Sequence, residues 1–511
     1  MMRLPSFVLS IAIVIVLTAA AHAAPRLLDV TVTEESAGRV NGVRVEVEGT
    51  REPLVEPVGV PLMTPGEIDT SWRMTPARGG FDIAVTLHNR TGNPHPRPAF
   101  RLTGVRLGKK VTCLDAVNLG VLVDKDLTDT PRFRRRPFSY PNATYAPVEV
   151  LMDERIAVGV SMMYDVLETR HAVWSLWQLD ANGFTFCFDP GPDATMLVGP
   201  EKNTKRLLDW QTHLGPGERE TFRVAVRFAR RERWRDTLSP YRDHFRKTYG
   251  KVQYKRDLRP VYAQPLSQSN RIADDNPRGF IPKFRLDKRG WGPVVDLLME
   301  GAVAAGFRRV MLRNAQGYYK VGTNFPTEFM TEWSEAMTDS VDQLARLEKA
   351  GVAIGYWWGR SSQVSGGWNT GKMWQRDIRK AADVAAGYEE LRLAAARRAD
   401  EIGLDAFGFI PVWDRVTWLK RIRKDFPGMR FITESAQCDI LHAMAPTYTI
   451  LKKQTGPPLL ADYILPGHET WISMRRASGD REQFERLVEW KVVPVCFYPQ
   501  KHDASSFEQP E

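Results

Sequence analysis

The sequence predicts a multidomain β plus α/β chain. An antiparallel β-sandwich covers residues 24–230, a helical linker 231–257, and a (β/α)8 TIM barrel 258–500, with a tail at 501–511. Three observations predict this. The chain has 511 residues, too many for one ordinary core. Its first half alternates apolar and polar residues at period two. From about 258, short apolar runs alternate with helical patterns, the signature of parallel strands joined by helices.

Composition agrees. With 43% hydrophobic and 26% charged residues the chain is globular, which excludes a disordered tail, a collagen-like fibre and a small disulfide scaffold. The net charge of +10 suits an anionic partner, but the basic residues are scattered and no long basic block suggests nucleic acid.

The first 23 residues read as a cleavable signal peptide. Arg3 precedes an apolar run from Phe7 to Ala21, and Ala21-His22-Ala23 fits a signal peptidase site. No later stretch reaches the ~20 consecutive apolar residues of a membrane span. The expectation is a secreted or periplasmic protein, in which disulfides are permitted. Cys113 and Cys187 fall early, Cys438 and Cys496 late. One bridge within each half is the simplest pairing, and buried thiols serve equally well for Cys438 and Cys496. No CxxC motif or Cys/His cluster indicates a metal, and His442 and His468 are too isolated to argue one.

In the first half, Val43-Arg44-Val45-Glu46-Val47, the run from Phe81 to Leu87 and the run from Thr221 to Phe228 each turn one face to a core and the other to water. Gly, Pro and Asn punctuate between them. The basic run Arg132-Phe133-Arg134-Arg135-Arg136 reads as a solvated loop, or more sharply as an acidic-ligand contact. Trp234, Leu238, Tyr241 and Phe245 then recur at helical spacing up to Gly250, forming the linker.

The barrel elements follow in order. Strand one is Val261–Pro265, and a helix at 291–305 stops at Gly306. Strand two is 309–312, a helix 340–350 ends at Gly351, and strand three is 352–358. The next helix carries Tyr388, Leu391, Ala395, Ala399 and Ile402 on one face, with Gly403 closing it. Strand four is then 405–410, a helix spans 415–426, and strand five is 430–433. Strand six is placed at 447–451, strand seven at 462–465, a helix at 482–490 and strand eight at 492–497.

Chemistry in such a barrel sits where strands end and βα loops begin. Those places hold Arg313 and Asn314 after strand two, and Trp357, Trp358 and Arg360 after strand three. They hold Trp413 and Asp414 after strand four, Glu434 after strand five, and His468, Glu469 and Trp471 after strand seven. Sugar rings present CH faces that stack on indoles and hydroxyls that need polar partners, and glycosidic cleavage needs two carboxyls. The set suits a carbohydrate site.

Glu434, a carboxylate directly after an apolar strand, is the first catalytic choice; its competing role is an ion pair with Arg313 or Arg360. Asp414 and Glu469 are the candidates for the second carboxyl. Asp414 is also placed to cap the 415–426 helix. Asp405 reads as a structural residue opening strand four, and Asp439 and Asp462 as solvated or helix-start residues. Trp357 and Trp358 alternate across their strand, so at most one faces the sugar. Arg313, Asn314, Arg360, Trp413, His468 and Trp471 complete the substrate-binding set, and the two arginines suit a carboxylated or sulfated sugar.

The layout, the barrel opening Arg259-Pro260-Val261-Tyr262 and the segment Gly403-Leu404-Asp405-Ala406-Phe407-Gly408-Phe409 together resemble the α-galactosidase-type retaining glycoside hydrolases. The segment is similar to the Gly-x-Asp-Gly-Phe approach to their fourth strand. The resemblance implies a nucleophilic Asp immediately after that segment, where this sequence has Ile410, with Asp414 the next carboxylate. No cofactor and no metal is implied. Two other readings stay open: a carbohydrate-binding protein without catalysis, and a polysaccharide lyase using a Tyr or His base with a uronate-neutralising Arg.

Overall fold

The computed structural model describes residues 26–497, apart from 36–38, 48–49, 56–57, 60–67, 99, 124–125, 128–134, 142–143, 171–172, 181–182, 190–212, 319–328, 333–338, 368–371, 435–436, 451–453 and 475–480. The signal peptide, Arg132-Phe133-Arg134 and the tail lie outside the described residues.

Period-two alternation builds the first half. Among the described residues it forms an eight-stranded and a seven-stranded antiparallel sheet. In strand Gly80–Asn89 the residues Phe81, Ile83, Val85 and Leu87 are buried while Asp82, Ala84, Thr86 and His88 are only partly so. Strand Arg219–Arg230 pairs with it and buries Phe222, Val224, Val226 and Phe228. Phe184, Phe186 and Phe188 of strand Gly183–Asp189 in the other sheet join the same apolar core. Helical turns at Arg231–Leu238 and Ser239–Thr248 follow, with Trp234, Leu238, Tyr241 and Phe245 buried. All four cysteines are buried thiols. Among the described residues no helix is long and apolar enough to cross a membrane.

The second half closes into a parallel barrel of eight strands. Strands one to three are Val261–Pro265, Arg309–Arg313 and Ala353–Trp358. Strands four to six are Glu401–Leu404, Arg430–Glu434 and Thr447–Ile450. Strands seven and eight are Thr470–Ser473 and Val493–Phe497, the last pairing with strand one to close the ring. Trp357, Tyr448, Met311 and Trp471 fill the interior, whereas Trp358 turns outward to the helix layer, where the Arg376 guanidinium lies 5.3 Å from its ring. The two tryptophans thus take opposite sides, as strand geometry requires.

Three sequence expectations are corrected. Strand four is Glu401–Leu404, not 405–410. Its preceding helix ends at Ala396, and the chain reverses at Arg398, which holds a left-handed φ of 62°. A helix stop made without glycine carries no signal in the sequence, so the helical pattern seemed to run on to Gly403. Gly403 instead lies in the strand, where an added Cβ would sit 2.1 Å from the Trp357 ring. Residues Phe407–Phe409, apolar enough to resemble a strand, form a single 3-10 turn.

Strand seven is Thr470–Ser473; the run near 462–465 belongs to the helix Leu459–Ile464. An apolar run that short does not separate helix from strand by period. The helix after strand four is Val412–Asp425, so Asp414 lies inside its first turn, favourable to the helix dipole, and does not cap it.

A buried polar knot joins the sandwich to the barrel. Asp439, fully buried at the start of helix Asp439–Met444, accepts the Tyr241 hydroxyl at 2.6 Å, the Tyr140 hydroxyl at 2.9 Å and its neighbour's amide. Burial pushes its carboxyl up to about 7 against the pull of these donors. His442, bonded to Tyr145 at 3.0 Å, is pushed down by burial and by His468. The signs oppose. Asp439 keeps its proton longer when folded, so its contribution is full below about pH 4 and is lost as pH rises through about 7. His442 resists protonation when folded, so its contribution fades as pH falls below about 6.5. In thermal melts between about pH 4 and about pH 8, Asp439→Asn is expected to flatten the alkaline decline. An unaltered slope in that variant would show that Asp439 does not set it.

Candidate active site

Correcting strand four changes which carboxylate meets Glu434. Asp405 is the first residue past strand four, and Glu434 the last of strand five, its neighbour in the ring. The Asp405 side chain reaches the Glu434 carboxyl closely enough to raise its pKa. Backbone amides hold both: the Arg360 N–H donates to Asp405 Oδ2 at 2.8 Å, and the Ala406 N–H to Glu434 Oε2 at 3.2 Å. Left-handed φ angles at Arg360, 63°, and Ala406, 52°, turn these amides towards the pair. The Asp405 carbonyl also accepts the Ser361 hydroxyl at 2.7 Å, tying the end of strand four to strand three.

A second carboxyl beside a buried one disfavours its charged form. Burial, then the hydrogen bond and charge of Asp405, push Glu434 up to about 8, while Arg313 and the Ala406 amide pull the other way. Glu434 is therefore an acid that still carries its proton at neutral pH.

Arg313 ends strand two and places its guanidinium 4.5 Å from the Trp357 ring centre and 5.6 Å from that of Phe497. Trp357 meets Tyr448 edge-on at 5.1 Å, and Tyr448 hydrogen-bonds to Ser473 and Arg313. The rim thus gathers two neighbouring carboxyls, the Arg313 guanidinium and an aromatic wall from strands two to eight.

The other predicted residues are distributed differently. Asn314 turns the chain after strand two with a φ of 58°, and its carbonyl accepts the Ser267 hydroxyl at 2.9 Å. Arg360 is at the rim through its amide. Trp413 is buried in the helix after strand four, with the sandwich residue Arg170 5.9 Å from its ring, so it packs in the outer core.

Glu469, His468 and Trp471 are corrected most. They precede or open strand seven, which puts them at the N-terminal end of the barrel, opposite the rim. Glu469 there accepts the Trp471 indole at 2.6 Å and the Asp257 amide at 2.6 Å, and it bonds to Arg430. Arg309, fully buried, lies 3.6 Å from Glu469 and 2.7 Å from Glu401, with the Trp471 ring 4.6 Å away. His468 bonds to Asp462 at 3.0 Å and to Thr470 at 3.1 Å. This is a structural plug. Among the described residues no group of three His, Cys, Asp or Glu is placed to hold a metal ion.

Sequence reasoning passed over Asp405 as a catalytic residue, and the signal lay in the same misplaced strand. Once strand four ends at Leu404, the position directly after it holds an Asp, and Ile410 no longer corresponds to that place.

The fold is that of α-galactosidase-type enzymes. The α-N-acetylgalactosaminidase NagBb of Bifidobacterium bifidum, in complex with Gal-NHAc-DNJ, superposes with a TM-score of 0.53 at 13% identity, over 93% of this chain and 80% of that one. Its GalNAc complex gives 0.52 at 13% identity, over 92% and 80%. The α-galactosidase of Thermus thermophilus in complex with stachyose gives 0.44 at 11% identity, over 86% of this chain and 100% of that one. No protein-family model and no curated protein sequence matches the chain.

Proposed function

We propose that this protein is a secreted glycoside hydrolase that cleaves a glycosidic bond with Asp405 and Glu434. The observation that carries the reading is the pair of carboxyls at the ends of adjacent barrel strands, each held by a backbone amide, with Glu434 pushed up to about 8. Glycosidic cleavage asks for that asymmetry: one carboxyl to protonate the leaving oxygen, the other to attack or to activate water.

Glu434 is the acid. It gives its proton to the glycosidic oxygen as the bond to the anomeric carbon breaks. Asp405 attacks that carbon, and a water deprotonated by Glu434 then releases the sugar and frees Asp405. Trp357 and Tyr448 supply the apolar wall. Arg313 stabilises negative charge on the pair or on an anionic sugar.

A second reading, binding without cleavage, draws on one observation. Both acids are already held by backbone donors, Asp405 by the Arg360 amide and Glu434 by the Ala406 amide, as structural carboxyls are. Plant, algal and glycosaminoglycan oligosaccharides assayed for reducing-end release decide between the two. Turnover supports the hydrolase, and binding without turnover that is unchanged in Glu434→Gln supports the binding protein. A product absorbing in the ultraviolet would reveal a lyase instead.

A further inference from the structure

A second concave site lies at the opposite end of the barrel. A cavity of about 710 Å³ opens on the N-terminal face, where Arg430 begins strand five and Arg259 leads into strand one. Its volume falls within the ~300–1,000 Å³ of small-ligand sites. A strand length of roughly 17 Å separates this face from the carboxyl pair.

The lining carries Lys255, Arg256, Arg259, Arg423 and Arg430 against one acid, Asp257. Arg259 is matched by Asp257 at 2.7 Å, and Arg430 by Glu469. Among the described residues the other arginines meet only neutral acceptors. Arg256 donates to the Lys491 carbonyl at 2.9 Å, and Arg423 donates to the side-chain and backbone carbonyls of Gln253 at 3.1 and 2.6 Å. Burial lowers the Arg423 guanidinium from its ordinary value, as befits a cation without an acid beside it. The Nε donors of Arg256 and Arg430 are buried without a hydrogen-bond partner. Lys255 is exposed at the mouth.

We propose that this cavity binds a small ligand bearing two or more sulfate or phosphate groups. Lys255, Arg256 and Arg423 supply three uncompensated charges, more than a single monoanion satisfies, and guanidinium forks match tetrahedral oxyanions. Barrel enzymes place their chemistry at the other face, so this site is one of binding and not of bond cleavage. The inference does not depend on the rim reaction.

Titration calorimetry of the full chain tests it, with inorganic pyrophosphate and a disulfated disaccharide as probes at low salt. Binding of either probe is expected, weakened tenfold or more by Lys255→Gln combined with Arg423→Gln, and weakened by added salt. Pyrophosphate alone would identify a phosphate ligand, and the disaccharide alone a sulfated sugar. The exposed single change Lys255→Glu, which leaves buried contacts intact, should weaken the same probe. The proposal falls if neither probe binds, or if both variants bind as the parent chain does.

Discussion

Asp405→Asn is expected to lower kcat for glycoside hydrolysis by roughly 10³-fold or more while leaving the thermal melt within a few degrees of the parent. The amide keeps the size and the hydrogen bond to the Arg360 N–H but loses the nucleophile. Glu434→Gln is expected to cost roughly 10²–10⁴-fold with substrates whose leaving group needs a proton, and much less with activated aryl glycosides. The two variants thus separate the two roles. Glu434 must carry its proton to act, so activity should fall as pH rises through about 8, and that limb should vanish in Glu434→Gln. Parent-like turnover in Asp405→Asn would remove Asp405 from the reaction, whatever the fate of Glu434.

Glu469→Ala should act in the opposite manner. Its carboxylate is fully buried and serves Arg309, Arg430, the Trp471 indole and the Asp257 amide. Removing it leaves Arg430 without its hydrogen-bonded acid and Arg309 paired chiefly with Glu401, a change that typically costs about 3–5 kcal/mol. Urea midpoints should fall accordingly, while kcat per folded molecule stays within about twofold. Parent-like stability together with lost turnover would return Glu469 to the catalytic set and refute its placement at the base.

These two carboxylates show how legible the site was in the sequence. Strands one, two, three, five, six and eight were found within about two residues, because each is an apolar run bounded by turn residues or followed by an amphipathic helix. The two that were misplaced decided the chemistry. Strand four was placed to begin at Asp405, and not to end just before it, because its helix stops at a left-handed Arg398 and not at a glycine. Strand seven was displaced before Glu469 because a six-residue apolar helix, Leu459–Ile464, imitates a strand. In a parallel barrel a residue just before a strand and a residue just after it lie at opposite ends, so an error of a few positions exchanges plug for active site. Glu434 was recognised because strand five was placed correctly. Tyr448 was not singled out, since an inward-facing tyrosine reads as core until its neighbours are known.

The sequence by itself determined the architecture: period-two runs make a sandwich, and alternating apolar runs and helical patterns make a parallel ring. These are local properties, set by which residues the backbone period turns towards a core. Only the tertiary structure decided that Asp405 and Glu434 meet at one end of the ring while Glu469 and Arg309 plug the other. Ring closure sets where each strand begins and ends, and contacts between residues distant in the chain set which charges must be paired.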